Sequence, residues 1–330
     1  MVPSNRASWL LDKQHPVNAV KTAPYTAASD KEIVIKVKAM AINPADVKIQ
    51  QMGILITDYP AILGCDVAGE VIEVGPSLAD VYNVGDRVIS QTKYVVLKSP
   101  RIAKIPDDVE YKDAVVLPLG VSTAAGCLFH ESNLSFRAPT LNGTKPGNGQ
   151  TVLVWGGSSS VGSCGVQMLS LAGYEVVAIA SKRNHDMIHG LGASICFDQA
   201  DSTTRDDIVA YLKGRNVIGA FDAISSDSTI ETICGILEQA GERKLMSSVR
   251  PGAEQLTQND VKIVTNFSMS PEGYAQLSQS TWKWLEKSMS EKTIKYMPQA
   301  EVVGHGLESV QPAVDRLAKG VSAKKLVVII

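Results

Sequence analysis

Thr151-Val152-Leu153-Val154-Trp155-Gly156-Gly157-Ser158-Ser159-Ser160-Val161-Gly162 decides the fold of this 330-residue chain. Residues Thr151 to Trp155 are an apolar, β-branched run with Gly149 before it and Gly156-Gly157 after it. That is the pattern of a strand buried on both faces of a parallel sheet. From Val161 onward, Val166, Met168, Leu169, Leu171 and Ala172 recur at near-helical spacing until Gly173, so a helix is predicted there. The turn between strand and helix is almost free of bulky side chains. A diphosphate can approach such a backbone and bind the unsatisfied N–H groups of the helix start.

The glycine fingerprint G-x-G-x-x-G falls on Gly157, Ser159 and Gly162, with serine in the middle place. A match this loose also fits an ordinary α/β turn. A second apolar run, Glu175 to Ala180, follows at the distance a βαβ unit requires. After it an NAD site calls for Asp or Glu to accept from the ribose hydroxyls. Here Ser181, Lys182, Arg183 and Asn184 follow instead. A hydroxyl and two cations suit a 2′-phosphate, so NADPH is the expected cofactor. Gly157, Ser158, Ser159, Ser160, Val161 and Gly162 are expected on its phosphates, and Ser181, Lys182, Arg183 and Asn184 on its phosphorylated ribose. The competing reading of Lys182 and Arg183 is a plain solvated helix start.

A chain of this length accommodates two domains. The net charge is −2, so no basic footprint points to nucleic acid or a membrane surface. The five cysteines (Cys65, Cys127, Cys164, Cys196, Cys234) are scattered, without a C-x-x-C pair. That suggests reduced thiols and a cytoplasmic setting. The first residues, MVPSNRASWLLDKQ, show no secretory signal, and no apolar run was expected to span a bilayer.

Residues 1–30 read as a small hairpin and a loop. Glu32 to Met40 alternates apolar and polar residues, as a half-buried antiparallel strand does. Asn43-Pro44 marks a turn and helix start. Ile62 to Val74, Val84 to Val88, Tyr94 to Leu97 and Ile102 to Ile105 are short, closely spaced strand segments, which together suggest a small β-barrel. Asp113 to Phe129 is an apolar helix interrupted by Pro118 and Gly120. Beyond Gly162 the βα rhythm continues to a strand at Lys262 to Phe267, which predicts an α/β, doubly wound parallel sheet. That strand is a possible dimer edge, with monomer and homodimer both open. Tyr274 to Ser290 and residues 307–319 read as helices. The closing strand Lys325 to Ile330 returns to the first barrel. The expected division is 1–117 with 271–330 as one domain and 118–270 as the other.

Several segments together resemble the medium-chain dehydrogenase/reductase superfamily. They are Ala41-Ile42-Asn43-Pro44-Ala45-Asp46-Val47-Lys48, Gly64-Cys65-Asp66-Val67-Ala68-Gly69, Val84-Gly85-Asp86-Arg87-Val88, Thr151 to Gly162, and Lys324-Lys325-Leu326-Val327-Val328. The resemblance covers essentially the whole chain. It implies a GroES-like β-barrel catalytic domain and a Rossmann domain, with the nicotinamide in the cleft between them. Asn43-Pro44 with Lys48, and Pro118-Leu119-Gly120-Val121-Ser122-Thr123, are most similar to fungal trans-acting enoyl reductases of polyketide synthesis. Zinc alcohol dehydrogenases of the superfamily have Cys where Asn43 stands and His-Glu where Cys65-Asp66 stand. Cys65-Asp66 alone cannot supply three ligands, and the four-cysteine lobe is absent, so no metal is expected.

The activity that the resemblance implies is NADPH-dependent, zinc-independent reduction of an activated C=C bond. Hydride goes to the β-carbon of an α,β-unsaturated carbonyl or enoyl thioester, free or bound to a carrier protein. Lys48 and Thr123 are the catalytic candidates by that resemblance. Without it, Lys48 reads as a surface lysine and Thr123 as a helix hydroxyl bonded to its own backbone. Asn43 is placed on the cofactor side, although turn-shaping is its plainer role. Asp46 reads as an N-terminal helix charge, and Tyr59 and Tyr94 as proton donors or packing residues. Quinone reduction, an NADPH-binding role without catalysis, and a non-reductive biosynthetic step are the alternatives. One departure stands out. The resemblance implies a loop of roughly 15–20 residues after Arg87-Val88, a length that is usually functional or disordered. Here only Ile89-Ser90-Gln91-Thr92-Lys93 intervenes. Either the loop is short and opens the substrate cleft, or the sequence omits a segment.

Overall fold

The computed structural model describes residues 5–91, 96–141, 147, 149–265 and 271–330. The chain divides into two compact units, Met1–Leu119 with Met289–Ile330, and Gly120–Ser288.

The first unit opens with β1 (Arg6–Leu10), β2 (Ala19–Thr22), β3 (Glu32–Ala41), α1 (Pro44–Met52), β4 (Ala61–Ile62) and β5 (Asp66–Val74). It continues with β6 (Arg87–Gln91), β7 (Val96–Lys98), β8 (Ile102–Lys104) and α2 (Tyr111–Ala114), and α3 (Pro118–Phe129) leads out of it. The predicted N-terminal hairpin is present as β1 and β2, and β4 adds a third strand on the other side of β1. Asn43 lies in extended conformation ahead of α1, and Pro44 takes the first helical place, where its missing N–H costs nothing. Gly53, at φ +62°, ends the helix in the left-handed conformation that a residue with a Cβ adopts only at a cost.

The second unit is built from β9 (Gln150–Trp155), α4 (Ser160–Leu171), β10 (Glu175–Ala180), α5 (His185–Gly190), β11 (Ile195–Asp198), α6 (Thr204–Leu212) and β12 (Asn216–Asp222). It is completed by α7 (Asp227–Ala240), β13 (Leu245–Ser248), β14 (Lys262–Thr265) and α8 (Pro271–Ser290), which leads back to the first unit. Its six strands run in the order β11-β10-β9-β12-β13-β14, and every neighbouring pair is parallel. Leu153, Trp155, Val177, Ile179, Ile230, Ile233, Leu237 and Met246 share one apolar cluster. The doubly wound sheet expected from the βα rhythm is therefore present. The part of the last expected strand beyond Thr265 lies outside the described residues.

The chain ends with β15 (Gln299–His305), α9 (Val310–Ala318) and β16 (Lys324–Ile329), all in the first unit. β16 pairs antiparallel with β3, Val327 opposite Ala41, so the closing strand does return to the first sheet. The full order there is β15-β16-β3-β5-β6-β8, with β7 also paired to β3. Ile33, Ile35, Val71, Val88, Leu97 and Ile102 fill its core. Val310, Ala313 and Val314, at helical spacing on α9, pack with Ile42, Leu326 and Val328.

Several expectations change. The helix over 113–129 is two helices, because Pro118 starts a new one. β15 was not anticipated; it follows Pro298 and pairs parallel to β16. α8 belongs largely to the unit Gly120–Ser288. Its Leu277, Thr281 and Trp282 share a small cavity with Ser122 and Ala125 of α3. Spacing shows that a helix has an apolar face, but not which neighbour covers it. By length and composition, Tyr111–Phe129 also suffices to cross a membrane, contrary to the sequence expectation, yet 78% of its most apolar window is buried inside the protein, as in a core helix.

Candidate functional site

The turn after β9 is shaped by two glycines. Gly156 has φ +77°, and a Cβ there would lie 2.4 Å from Ile224 Cγ1. A Cβ on Gly162 would lie 2.1 Å from the Gly156 carbonyl oxygen. Several N–H groups of the turn are engaged within the fold. Those of Gly156 and Gly157 donate to Ile179 O at 2.9 and 3.0 Å, and that of Ser159 donates to Gly156 O at 2.9 Å. The Gly162 N–H donates to Ser159 Oγ at 3.0 Å. Ser159 is thus the cap of α4, which explains serine in the middle place of the fingerprint. Ser158, Ser160 and Val161 form the half-buried lip of the turn. The N-terminus of a helix carries a partial positive charge, which favours an anion near its first residues.

The end of β10 folds toward that turn. Asn184 Nδ2 donates to Ser158 Oγ at 3.2 Å, which joins the two predicted stretches. Asn184 is buried and acts as a brace between them. Ser181 Oγ accepts from Gln199 Nε2 at 3.4 Å. Lys182 and Arg183 are exposed, and among the described residues neither forms an ion pair. A hydroxyl and two such cations have the chemistry to receive a phosphate.

In the first unit Asn43 is the centre of a buried polar cluster. Its Nδ2 donates to Asp66 Oδ2 at 2.8 Å and its Oδ1 accepts from Lys325 Nζ at 2.5 Å. Lys325 Nζ also pairs with Asp66 Oδ2 at 2.8 Å. The other oxygen of Asp66 accepts from the Leu119 N–H at 2.7 Å, near the start of α3. Asp46 Oδ2 accepts from the Asn43 N–H at 2.8 Å. Burial pushes the Asp46 carboxyl up to about 6, helped by the Asp66 charge and opposed by the Asn43 N–H, Lys325 and the Gly64 N–H.

The sequence reading places Asn43 on the cofactor side. It is fully buried, and both ends of its amide are held by Asp66 and Lys325. Asn43 and Cys65-Asp66 stand where the zinc alcohol dehydrogenases of the superfamily carry zinc ligands. An amide and a carboxylate already gripped by a buried ammonium do not fit a zinc ion.

Lys48 stands exposed on α1, and Thr123 is half-buried on α3. They belong to different units. Tyr59 is half-buried, and its hydroxyl has no hydrogen-bond partner among the described residues. Tyr94 lies outside the described residues, as do Thr92 and Lys93 of the short junction. Sequence reasoning missed Lys325, which it quoted only as part of a closing motif, and missed Gly156 and Asp222. The signals were a second lysine at the start of the closing strand, directly before its apolar run, and an aspartate at a strand end.

The alcohol dehydrogenase GroES-like domain family matches residues 29–127. A dehydrogenase of Monascus ruber is 35% identical over 371 aligned residues, covering 99% of this chain and 100% of that protein. A trans-enoyl reductase of Aspergillus japonicus is 35% identical over 315 residues, covering 90% of this chain and 89% of the relative. Among solved structures, a quinone oxidoreductase of Pseudomonas syringae shares the fold with a TM-score of 0.75 at 19% identity, over 99% of this chain and 100% of its own. With a GroES-like unit, a parallel Rossmann-type sheet and relatives of this likeness along its length, the chain belongs to the medium-chain dehydrogenase/reductase superfamily and is an oxidoreductase acting on a small-molecule substrate.

Proposed function

We propose that the protein reduces an activated C=C bond of an α,β-unsaturated carbonyl or enoyl thioester with NADPH, without zinc. The observation that carries the cofactor choice is the Ser181-Lys182-Arg183 step after β10, where two exposed cations stand in place of an acidic residue. The substrate class is supported by the likeness to a trans-enoyl reductase. The first unit is the catalytic domain in this reading, and Gly120–Ser288 the nucleotide-binding one.

A bound reduced nicotinamide supplies the hydride. Ser158, Ser160 and Val161 hold the diphosphate at the start of α4, whose partial positive charge adds to the N–H groups. Ser181, Lys182 and Arg183 hold the 2′-phosphate, and Asn184 keeps that stretch against the turn through Ser158. As hydride reaches the β-carbon, negative charge develops on the carbonyl oxygen. The Lys48 ammonium and the Thr123 hydroxyl are the donors assigned to that charge, Thr123 alternatively binding the carboxamide. A proton, from water or from a side chain of the site, then reaches the α-carbon. Zinc independence is supported by Lys325, which neutralises Asp66 in the place where a metal would need free donors. The substrate is free or carrier-bound, and the protein acts as a monomer or homodimer.

The test is NADPH titration followed by steady-state oxidation with an enoyl thioester and with a simple quinone. Thioester turnover that falls roughly 100-fold or more in Lys48→Ala supports the reading. Quinone turnover alone would move the assignment to quinone reduction. Preference for NADH would overturn the role of Ser181, Lys182 and Arg183.

A further inference from the structure

α3 is buried along almost its whole length. Ser122, 8% exposed, puts a hydroxyl into these apolar surroundings. A serine inside a helix often satisfies its hydroxyl on the carbonyl one turn back. Ser122 Oγ makes no such bond and has no partner among the described residues. On α8, Ser278, Thr281, Trp282 and Leu285 recur at helical spacing, and all four are buried. A buried helix face is ordinarily apolar, and here it begins with two hydroxyls. Trp282 is 2% exposed, and its indole N–H also has no partner among the described residues. Buried polar groups are nearly always paired, either with protein or with ordered water.

Both of these atoms belong to residues that border one cavity. Ser122 and Ala125 line it from α3, and Leu277, Ser278, Thr281 and Trp282 line it from α8. All six lie within the unit Gly120–Ser288. The cavity volume is about 10 Å³, which admits a water molecule and is too small for an organic ligand. The walls agree with that choice. An indole N–H only donates, whereas a hydroxyl both donates and accepts. Two such groups that do not bond each other are joined by a molecule that accepts from one and donates to the other. A cation does not fit, because an indole N–H is no ligand and no carboxylate, imidazole or thiol lines the cavity.

We infer that the seam between α3 and α8 is a binding site for one internal water, which accepts from the Trp282 N–H and donates to Ser122 Oγ. The hydroxyls of Ser278 and Thr281 border the same space and supply its remaining hydrogen bonds. Contact between Ala125 and the apolar part of α8 is non-directional, so alone it tolerates a shift of one helix along the other. A water gripped from both sides is directional and fixes the register of α8 on α3.

A crystal structure of the full chain that shows ordered water is the direct test. The expected result is one density peak within about 3.2 Å of both Ser122 Oγ and Trp282 Nε1. A cavity without density, or a direct bond between the two side chains, would overturn the site. Two variants then test the tie between the helices. Ser122→Ala removes one partner of the water, and Ala125→Val fills the space while keeping both polar groups. Ser122→Ala should shift the unfolding equilibrium in urea roughly two- to tenfold toward the unfolded chain, the range of one net hydrogen bond, even though alanine is the better helix former. Ala125→Val should raise amide hydrogen exchange over residues 277–285 roughly tenfold and leave β9 and β10 at wild-type rates. A Ser122→Ala protein more stable than the wild type would mean that the hydroxyl had no partner to lose. Unchanged exchange in α8 of Ala125→Val would mean that nothing in the cavity ties the helices. Either result overturns the inference.

Discussion

Lys325 is a buried cation of the first unit held by two partners. Its side chain is 3% exposed, and it holds both Asp66 and Asn43. Removing one partner of a buried ion pair leaves the other charge uncompensated, which typically costs about 3–5 kcal/mol. Lys325→Met should destabilise the protein by about that amount in urea unfolding, and adding Asp66→Asn should recover part of the loss. A loss no greater than that of a surface substitution would remove the pair from the stability account. Asp46 makes a separate prediction. Its folded-state value is raised to about 6 from 3.8, chiefly by burial, so the folded state keeps a proton that the unfolded chain has released between those pH values. Stability contributed through Asp46 is therefore greatest below about pH 4 and falls by about 3 kcal/mol as pH rises to 6. Asp46→Asn should flatten that slope, and unfolding free energies measured from pH 4 to pH 7 decide it. Asp66 and Lys325 face the same carboxyl, so the variant is compared with the wild type at constant salt.

At the scale of elements, the β9–α4 turn depends on two positions without side chains. Gly162→Ala places a Cβ against the Gly156 carbonyl. Gly156→Ala adds left-handed strain to a collision with Ile224. Each should lower stability by about 1–3 kcal/mol, and each should weaken NADPH binding more than that loss implies, because the lip of Ser158 and Val161 shifts. Thermal melts paired with nucleotide titration separate the two effects. The turn itself was readable from TVLVWGGSSSVG, because a buried strand, a small-residue turn and a helix start are local patterns. That Ser159 caps α4 was not readable, since a serine in the middle of a fingerprint does not show which N–H it accepts.

For the whole molecule, binding to the native state alone raises stability by mass action, by about 2.7 kcal/mol at one hundred times the dissociation constant. NADPH should therefore raise the melting temperature more than NADH at equal concentration. Hydrogen exchange should show the added protection in the amides of residues 156–162 within Gly120–Ser288. Equal shifts for the two nucleotides would leave Lys182 and Arg183 without a 2′-phosphate to bind. The two units divide between Leu119 and Gly120 on the α3 side and between Ser288 and Met289 on the α8 side. There the chain passes from one unit to the other inside a continuous helix.

The sequence by itself determined the alternation of strands and helices in the second unit, the short strands of the first, the return of the closing strand to β3, and the hydroxyl and two cations after β10. These are written in periodicity and in adjacent residues, over distances that the local chain encodes. Only the tertiary structure decided that Asn43 is buried, because its partner Lys325 lies 282 positions away. It also decided that β15 joins the first sheet, that α8 packs beside α3, and that Ile224 rests on Gly156. Each depends on which surfaces meet when distant segments pack, and a side chain's burial and hydrogen bonds are set by that meeting rather than by its neighbours along the chain.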